Sequence, residues 1–354
     1  MPTCAASLEP RPDRSGPHPL TGASTMTTRH ILSTGQRLCF DTAGRPVDCA
    51  GTGQDGEFRT GEAWPEPRFE PQGEALALDR LTGLVWPRTA SLGDFPMSWT
   101  EALSAVKLMN EENAFGHADW RLPNRRELSS LVSYSHHRPA LPTGHPFTVS
   151  QTWYWTSTTA DIAPDCAWRV HLEGGRMFYG DKTRDAMVWP VRGESAVLAR
   201  TGQRRCRDAA GTVIDCAATG QDGALRSGVP WPEPRFAMEE DGVRDLLTGL
   251  LWTRSTDQCG VCAWEEALRE AKERSKKGRK WRLPTIRELE SLVDAEHHNP
   301  ALPEHPFTDI REAYWSSTSS AYAPDWAYCL YLHKGAVGVG FKAKREFHAW
   351  FVAA

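Results

Sequence analysis

The chain repeats itself, and that fact bounds its fold more tightly than any other. The stretch TGQRLCFDTAGRPVDCAGTGQDGEFRTGEAWPEPRFE begins at Thr34. It returns as TGQRRCRDAAGTVIDCAATGQDGALRSGVPWPEPRFA at Thr201, with 24 of 37 positions identical. The copies stay in step to the end. Their offset shrinks from 167 residues at Thr34/Thr201 to 166 at Trp86/Trp252, 161 at Trp120/Trp281 and 160 at Tyr154/Tyr314. Deletions confined to such intervals belong in loops. The chain therefore reads as a duplication: residues 1–29 as a disordered N-terminal segment, repeat one over 30–193 and repeat two over 197–354. A repeat of this length is larger than a solenoid unit and long enough to own a core.

Within each copy the order of elements is legible. Cys39 to Cys49, and Cys206 to Cys216, read as two short strands around Asp41-Thr42-Ala43-Gly44 or Asp208-Ala209-Ala210-Gly211. Gln54-Asp55-Gly56 and Gln221-Asp222-Gly223 add an Asp-Gly turn signal. Ser98-Trp-Thr-Glu is a capping box that opens a first helix, matched from about Ala263 to Ser275. A second helix begins after Asn124 or Thr285, with Glu127 or Glu288 as the reciprocal cap and an apolar stripe at Leu128, Leu131 and Val132. Strands follow at Tyr154–Thr158, Ala167–Leu172, Arg176–Tyr179 and Val188–Val191. The second copy repeats them at Tyr314–Thr318, Ala327–Leu332 and Trp350–Val352. A ribbon, two helices and then an antiparallel sheet is an α+β order, not an alternation of strand and helix.

Composition removes several classes of function. A formal charge of −4 gives no general pull toward nucleic acid or anionic lipid. No apolar run approaches the ~20 residues of a membrane-spanning helix. The first 29 residues are rich in Pro, Ser, Thr and Arg and lack the apolar stretch of a secretory signal, even if Met26 is the start.

The segments TGLVW, DWRLPNRRELSSLV, PALPTGHPF, YWTSTT, AWRVHLEGG and VWPVR, in this order over nearly all of both repeats, resemble the Lcl C-terminal domain family. That family of unknown biochemical function is named for the C-terminal domain of the Legionella collagen-like adhesin. The resemblance implies a C-type-lectin-like fold, with two helices packed on a twisted antiparallel sheet and a loop-rich ligand face. It also implies a bacterial recognition or adhesion module. The second copy departs at its end, where Val191-Arg192 becomes Val352-Ala353, which puts its closing strand in question.

Candidate sites compete with plainer readings. Cys39/Cys49 and Cys206/Cys216 share a C-x9-C spacing that can bring two Cα atoms within disulfide reach; reduced thiols in a cytosolic protein are the alternative. Cys259-Gly-Val-Cys262 matches redox and metal spacing, yet repeat one has no counterpart and a second CxxC is missing. It reads as a local link or inert thiols. His136, His137 and His145, with His297, His298 and His305, are the most metal-like set, but prolines hold that loop extended and no metal site is assigned. Six Trp pairs at equivalent positions (64/231, 86/252, 99/264, 120/281, 155/315, 189/350) read as core.

What differs between the copies reads as the ligand face: Trp153, Asp161, Asp165, Arg169 and Arg176 in the first, and Arg311, Tyr322, Asp325, Trp326 and Lys334 in the second. These lie on the turn after the YW-S/T-S-T strand, on the Gly hairpin and nearby, where loops on a rigid scaffold carry recognition. No nucleophile-elbow, P-loop or zinc-protease motif is present. The expectation is a non-enzymatic module without cofactor that binds glycan or protein, placed in the cell envelope or secreted, with the cytoplasm as alternative. The alternative functions are a formylglycine-generating-type cysteine enzyme using Cys166 or Cys329, and a structural module of a surface assembly. The sequence leaves oligomeric state open.

Overall fold

The computed structural model describes residues 30–353 apart from 94, 151 and 277, so the segment 1–29 lies outside the described residues. The helices form where their caps dictate. In α1 (Trp99–Glu111) the Ser98 hydroxyl accepts the Glu101 N–H while the Glu101 carboxylate accepts the Ser98 N–H, at 3.4 and 2.9 Å. Its buried face is Trp99, Ala102, Val106 and Met109. The shorter α2 (Arg125–Ser130) is capped by Asn124 and Glu127. The second copy rebuilds both as α3 (Trp264–Ser275) and α4 (Ile286–Ser291), the latter under a Thr285–Glu288 box. Each box satisfies N–H groups that a buried helix start would otherwise leave orphaned.

Three antiparallel strands follow in each copy: β1 (Trp153–Thr159), β2 (Cys166–His171) and β3 (Arg176–Asp181), then β4 (Ala313–Ser319), β5 (Trp326–Tyr331) and β6 (Ala336–Phe341). They do not form two sheets. One six-stranded sheet runs β4-β5-β6-β3-β2-β1, joined across the copies where Val337 of β6 faces Met177 of β3. The largest apolar cluster likewise holds Leu128, Leu131 and Trp189 of the first copy together with Leu289, Leu292 and Trp350 of the second. Smaller clusters lie under α1 and under α3.

A three-stranded meander absent from the sequence reading precedes the helices, at Phe69–Gln72, Leu76–Asp79 and Val85–Pro87, and recurs at Phe236–Glu239, Gly242–Asp245 and Leu251–Trp252. A buried ion pair pins each one. Arg68 grips Asp79 at 2.9 and 2.8 Å and donates to the Ser130 carbonyl at 2.9 Å; Arg235 does the same with Asp245 and the Ser291 carbonyl. The closing strand of the second copy survives the loss of its Arg, because Val352 and Ala353 pair with Trp252 and Leu251 through backbone alone. In the first copy the corresponding stretch makes only isolated bridges, Val191 to Arg121 and Arg192 to Val85.

The ribbons are the main surprise. Both disulfides form, Cys39–Cys49 and Cys206–Cys216 with Cα atoms 5.2 Å apart, and Cys259 is linked to Cys262. Yet each ribbon packs on the other copy. Gln36 of the first brackets Ser319 of the second, and Gln203 of the second brackets Thr159 of the first. The Asp-Gly signal therefore marks no hairpin turn. Asp55 and Asp222 open single helical turns, Asp55–Phe58 and Asp222–Leu225, and their carboxylates are buried in the opposite copy. Gly56 is needed for close approach: a Cβ there would meet the Cys39 and Cys49 sulfurs at 2.9 and 3.1 Å.

Candidate functional site

Exchange of the ribbons places one copy's turn beside the other copy's Pro/His loop and Gly hairpin, giving two related corners at the seam. They are chemically unlike. In one, Asp161 accepts from Nδ1 of His298 at 2.7 Å and from Arg205 at 3.3 Å, and Arg205 also pairs with Glu296. Charge closes that corner. In the other, position 161 is matched by Ala321 and the corner is held by Tyr322. The Arg138 guanidinium lies 4.8 Å over the Tyr322 ring and donates to its hydroxyl at 2.7 Å, while His137 meets the ring edge-on. Gly174 of the first copy passes beneath, and its carbonyl accepts from the Tyr328 hydroxyl.

This second corner opens into a cleft of about 340 Å³ lined by Glu173, Arg176, Ser320, Tyr322, Trp326 and Val339, among others. Three residues singled out from the sequence thus meet there, although they come from different copies. Arg176 is exposed at the start of β3 and has no carboxylate partner among the described residues. Trp326 is half-buried and tilts against Phe341 at 5.7 Å.

The remaining candidates lie elsewhere. Trp153 is half-buried against His171, and Arg169 stacks over Trp153 and Trp155 at 5.3 and 5.1 Å. Burial lowers the Arg169 pKa. Asp161 is spent in the closed corner. Asp165 and Asp325 support the exchanged ribbons by backbone: a Cβ on Gly211 would lie 3.0 Å from the Asp165 nitrogen, and one on Gly44 2.8 Å from that of Asp325. Arg311 pairs with Asp257 at 3.0 Å, and the Lys334 ammonium lies over Phe178 and Tyr331.

Sequence reasoning missed a concavity larger than the seam cleft. A groove of about 1100 Å³ runs between α1 of the first copy and the ribbon of the second, with Trp99, Leu103, Trp120, Arg121, Ile214 and Leu225 in its walls. In the other half the corresponding helix and ribbon are bridged by contacts. Phe58, at the position of Leu225, lies 5.7 Å from the Arg282 guanidinium, and Lys272 donates to the Gly51 carbonyl at 3.1 Å. The Phe/Leu difference was visible in the aligned copies, but its meaning depends on the exchange.

Two buried lysines hold the ribbon tips. Lys182 Nζ donates to the Pro164 and Asp208 carbonyls at 3.0 and 2.9 Å and sits 4.3 Å over Trp99. Lys342 Nζ bonds Ser319 at 2.8 Å and sits 4.1 Å over Trp264; burial lowers its pKa to about 7. The two free thiols among the described residues, Cys166 and Cys329, are poorly poised as nucleophiles. Burial, then Asp165 and Asp181, pushes Cys166 up to about 11, and burial pushes the enclosed Cys329 up as well.

The histidines do not converge. His136 bonds Ser133 and Thr143, His145 stacks on Phe147, and His297 pairs with Asp294. Among the described residues no group of three or more His, Cys, Asp or Glu is placed to hold a metal ion, and no helix is long and apolar enough to cross a membrane.

Residues 75–192 and 241–353 each match the family described as the Lcl C-terminal domain. The match is narrower than the resemblance read above, since it begins after both ribbons. No curated protein matches the chain.

Proposed function

We propose that this chain, which belongs to the Lcl C-terminal domain family in both of its halves, is a non-enzymatic recognition module that binds glycan or protein in the seam cleft. The observation that carries the reading is the meeting of Arg176, Tyr322 and Trp326 in one concavity. A half-exposed indole offers a face for a sugar ring or an apolar side chain. Beside it an Arg without a carboxylate partner and the Glu173 carboxylate supply directional hydrogen bonds. A mostly preformed concavity with a few convergent polar groups is the usual form of a binding site. The raised pKa values of Cys166 and Cys329 support binding over cysteine chemistry. We read the two helices, antiparallel sheet and loop-rich seam as a C-type-lectin-like arrangement, and the three disulfides as favouring an extracytoplasmic setting.

A second reading has its own observation. The helix–ribbon groove is larger and more apolar than the seam cleft, and its wall carries Leu225 where the other half has Phe58 against Arg282. One experiment separates the two. The intact chain is screened on a glycan array and against surface proteins, and the best ligand is titrated against three variants. Trp326→Ala and Arg176→Ala each weaken binding about tenfold or more with the melting temperature nearly unchanged, whereas Leu225→Trp, which fills the groove, has no effect. Loss of binding in Leu225→Trp alone moves the site to the groove. Binding that survives all three and tracks His136 and His297 overturns both.

A further inference from the structure

The main contacts joining the halves occur twice, with the roles reversed. Gln36 donates to the Ser319 carbonyl and accepts its N–H at 2.8 and 2.9 Å; Gln203 does so with Thr159 at the same distances. The Thr318 hydroxyl donates to Asp55 at 2.6 Å, and that of Thr158 to Asp222 at 2.7 Å. Away from the ribbons, Arg126 of α2 donates to the Ser291 and Val293 carbonyls at 3.1 and 2.9 Å. Arg287 of α4 returns the contact to the Ser129 and Val132 carbonyls at 2.5 and 3.1 Å. The edge pairing of β6 with β3 completes the set.

Contacts in which residue i meets j and j meets i define the interface of a two-fold dimer. Here that interface lies inside one chain. Gln36/Gln203, Asp55/Asp222, Thr158/Thr318, Arg126/Arg287 and Val132/Val293 are the same in both copies. Thr159 is matched by Ser319, Met177 by Val337 and Ser129 by Glu290, so that the Arg287 contact falls one residue short of the Ser130 that answers to Ser291. Each disulfide lies within one half, so among the described residues the backbone at 193–197 is the sole covalent tie between them.

We infer that the surface each half presents to the other is a self-recognition surface, whose fitting partner is a second copy of the same ribbon-bearing repeat, and that the join is dispensable for the pairing. The ribbons that grip lie outside the segments matched to the family, so the pairing is a property of this longer unit. Any half whose ribbon is free presents both a ribbon and a vacant dock. Two such halves complete each other whichever copy they descend from.

The test uses the full chain with a protease site inserted after the exposed Glu194. After native cleavage the two fragments are expected to travel as one particle of the intact chain's hydrodynamic size; separation into two monomers without denaturant overturns the pairing. The nicked protein is then unfolded without reductant, refolded and weighed by native mass spectrometry. Like pairs, first with first and second with second, are expected beside mixed pairs; mixed pairs alone overturn self-recognition. A nicked chain carrying Gln36→Ala and Gln203→Ala keeps the idea open to refutation if refolding fails. Its fragments are expected to dissociate at least tenfold more readily, and unchanged dissociation removes the ribbons from the grip.

Discussion

Asp55 and Asp222 sit fully buried where each ribbon enters the opposite body, and burial raises both carboxyls from 3.8 to about 6 against the hydrogen bonds from Thr318, Thr158 and Thr201. A group whose pKa is higher folded than unfolded binds its proton more tightly in the folded state. Stability therefore rises as pH falls from about 6 toward 3.8, opposite to the usual behaviour of salt-bridged carboxylates. A shift of about two pH units corresponds to roughly 3 kcal/mol per carboxyl once protonation is complete, and to about 2 kcal/mol each between pH 7 and 4.5. The pair together contributes on the order of 4 kcal/mol over that interval.

Replacing both by Asn removes the titration. At pH 7 the net change is small, because the relief of buried charge is offset by an amide NH2 group that takes the place of the unpartnered Asp55 Oδ1 and finds no acceptor, which costs about 1–3 kcal/mol. The informative quantity is thus the pH dependence. Urea unfolding at pH 7 and 4.5 should show native stability gaining on the Asp55→Asn/Asp222→Asn variant by about 4 kcal/mol as pH drops. Two curves that fall in parallel would refute the assignment of raised pKa values to these carboxyls.

Trp120→Ala and Trp281→Ala should each cost about 3–5 kcal/mol in a denaturant melt, Trp281 toward the lower end because it is 8% exposed against 3% for Trp120. Losses under about 1 kcal/mol would put the core elsewhere. Opening either ribbon by paired Cys→Ser substitution, Cys39 with Cys49 or Cys206 with Cys216, should cost roughly 2–3 kcal/mol from the loop length alone, read as a shift in urea midpoint. In protein taken from its native compartment the same pairs should appear as cross-linked peptides under non-reducing mass spectrometry, and alkylatable thiols at all four positions would favour the cytoplasm.

Local features were legible because their causes are local. The boxes at Ser98, Asn124 and Thr285 start helices where the sequence places them, since cap and capped N–H lie three residues apart. The aromatic and hydroxyl-rich runs at Tyr154–Thr158 and Tyr314–Thr318 place two strands of the sheet, though both are buried along nearly their whole length. The meander at 69–87 was not legible: its middle strand is buried on both sides and carries no alternation. Nor was the exchange. An alignment of repeats says which segments are alike and is silent on which copy each one touches. Asp55-Gly56 read as a turn because the Thr318 that buries it lies 263 residues away. The site shows the same limit. Turn and hairpin were taken together within each repeat, whereas the structure joins the hairpin carrying Arg176 to the turn carrying Tyr322, across the copies.

The separation in sequence between the first ribbon and its dock has a consequence during synthesis. Gln36 and Ser319 are 283 residues apart. At about 5–20 residues per second the ribbon waits roughly 15–60 s after leaving the ribosome before its binding surface exists. Its disulfide, by contrast, spans a separation of only 10 residues and can close as soon as oxidant is met. An oxidising compartment would thus deliver a finished clasp to a lock still being made. The segment that carries β6 and Lys342 follows Ser319 and supplies the ammonium that bonds the ribbon carbonyls of Phe40 and Asp41.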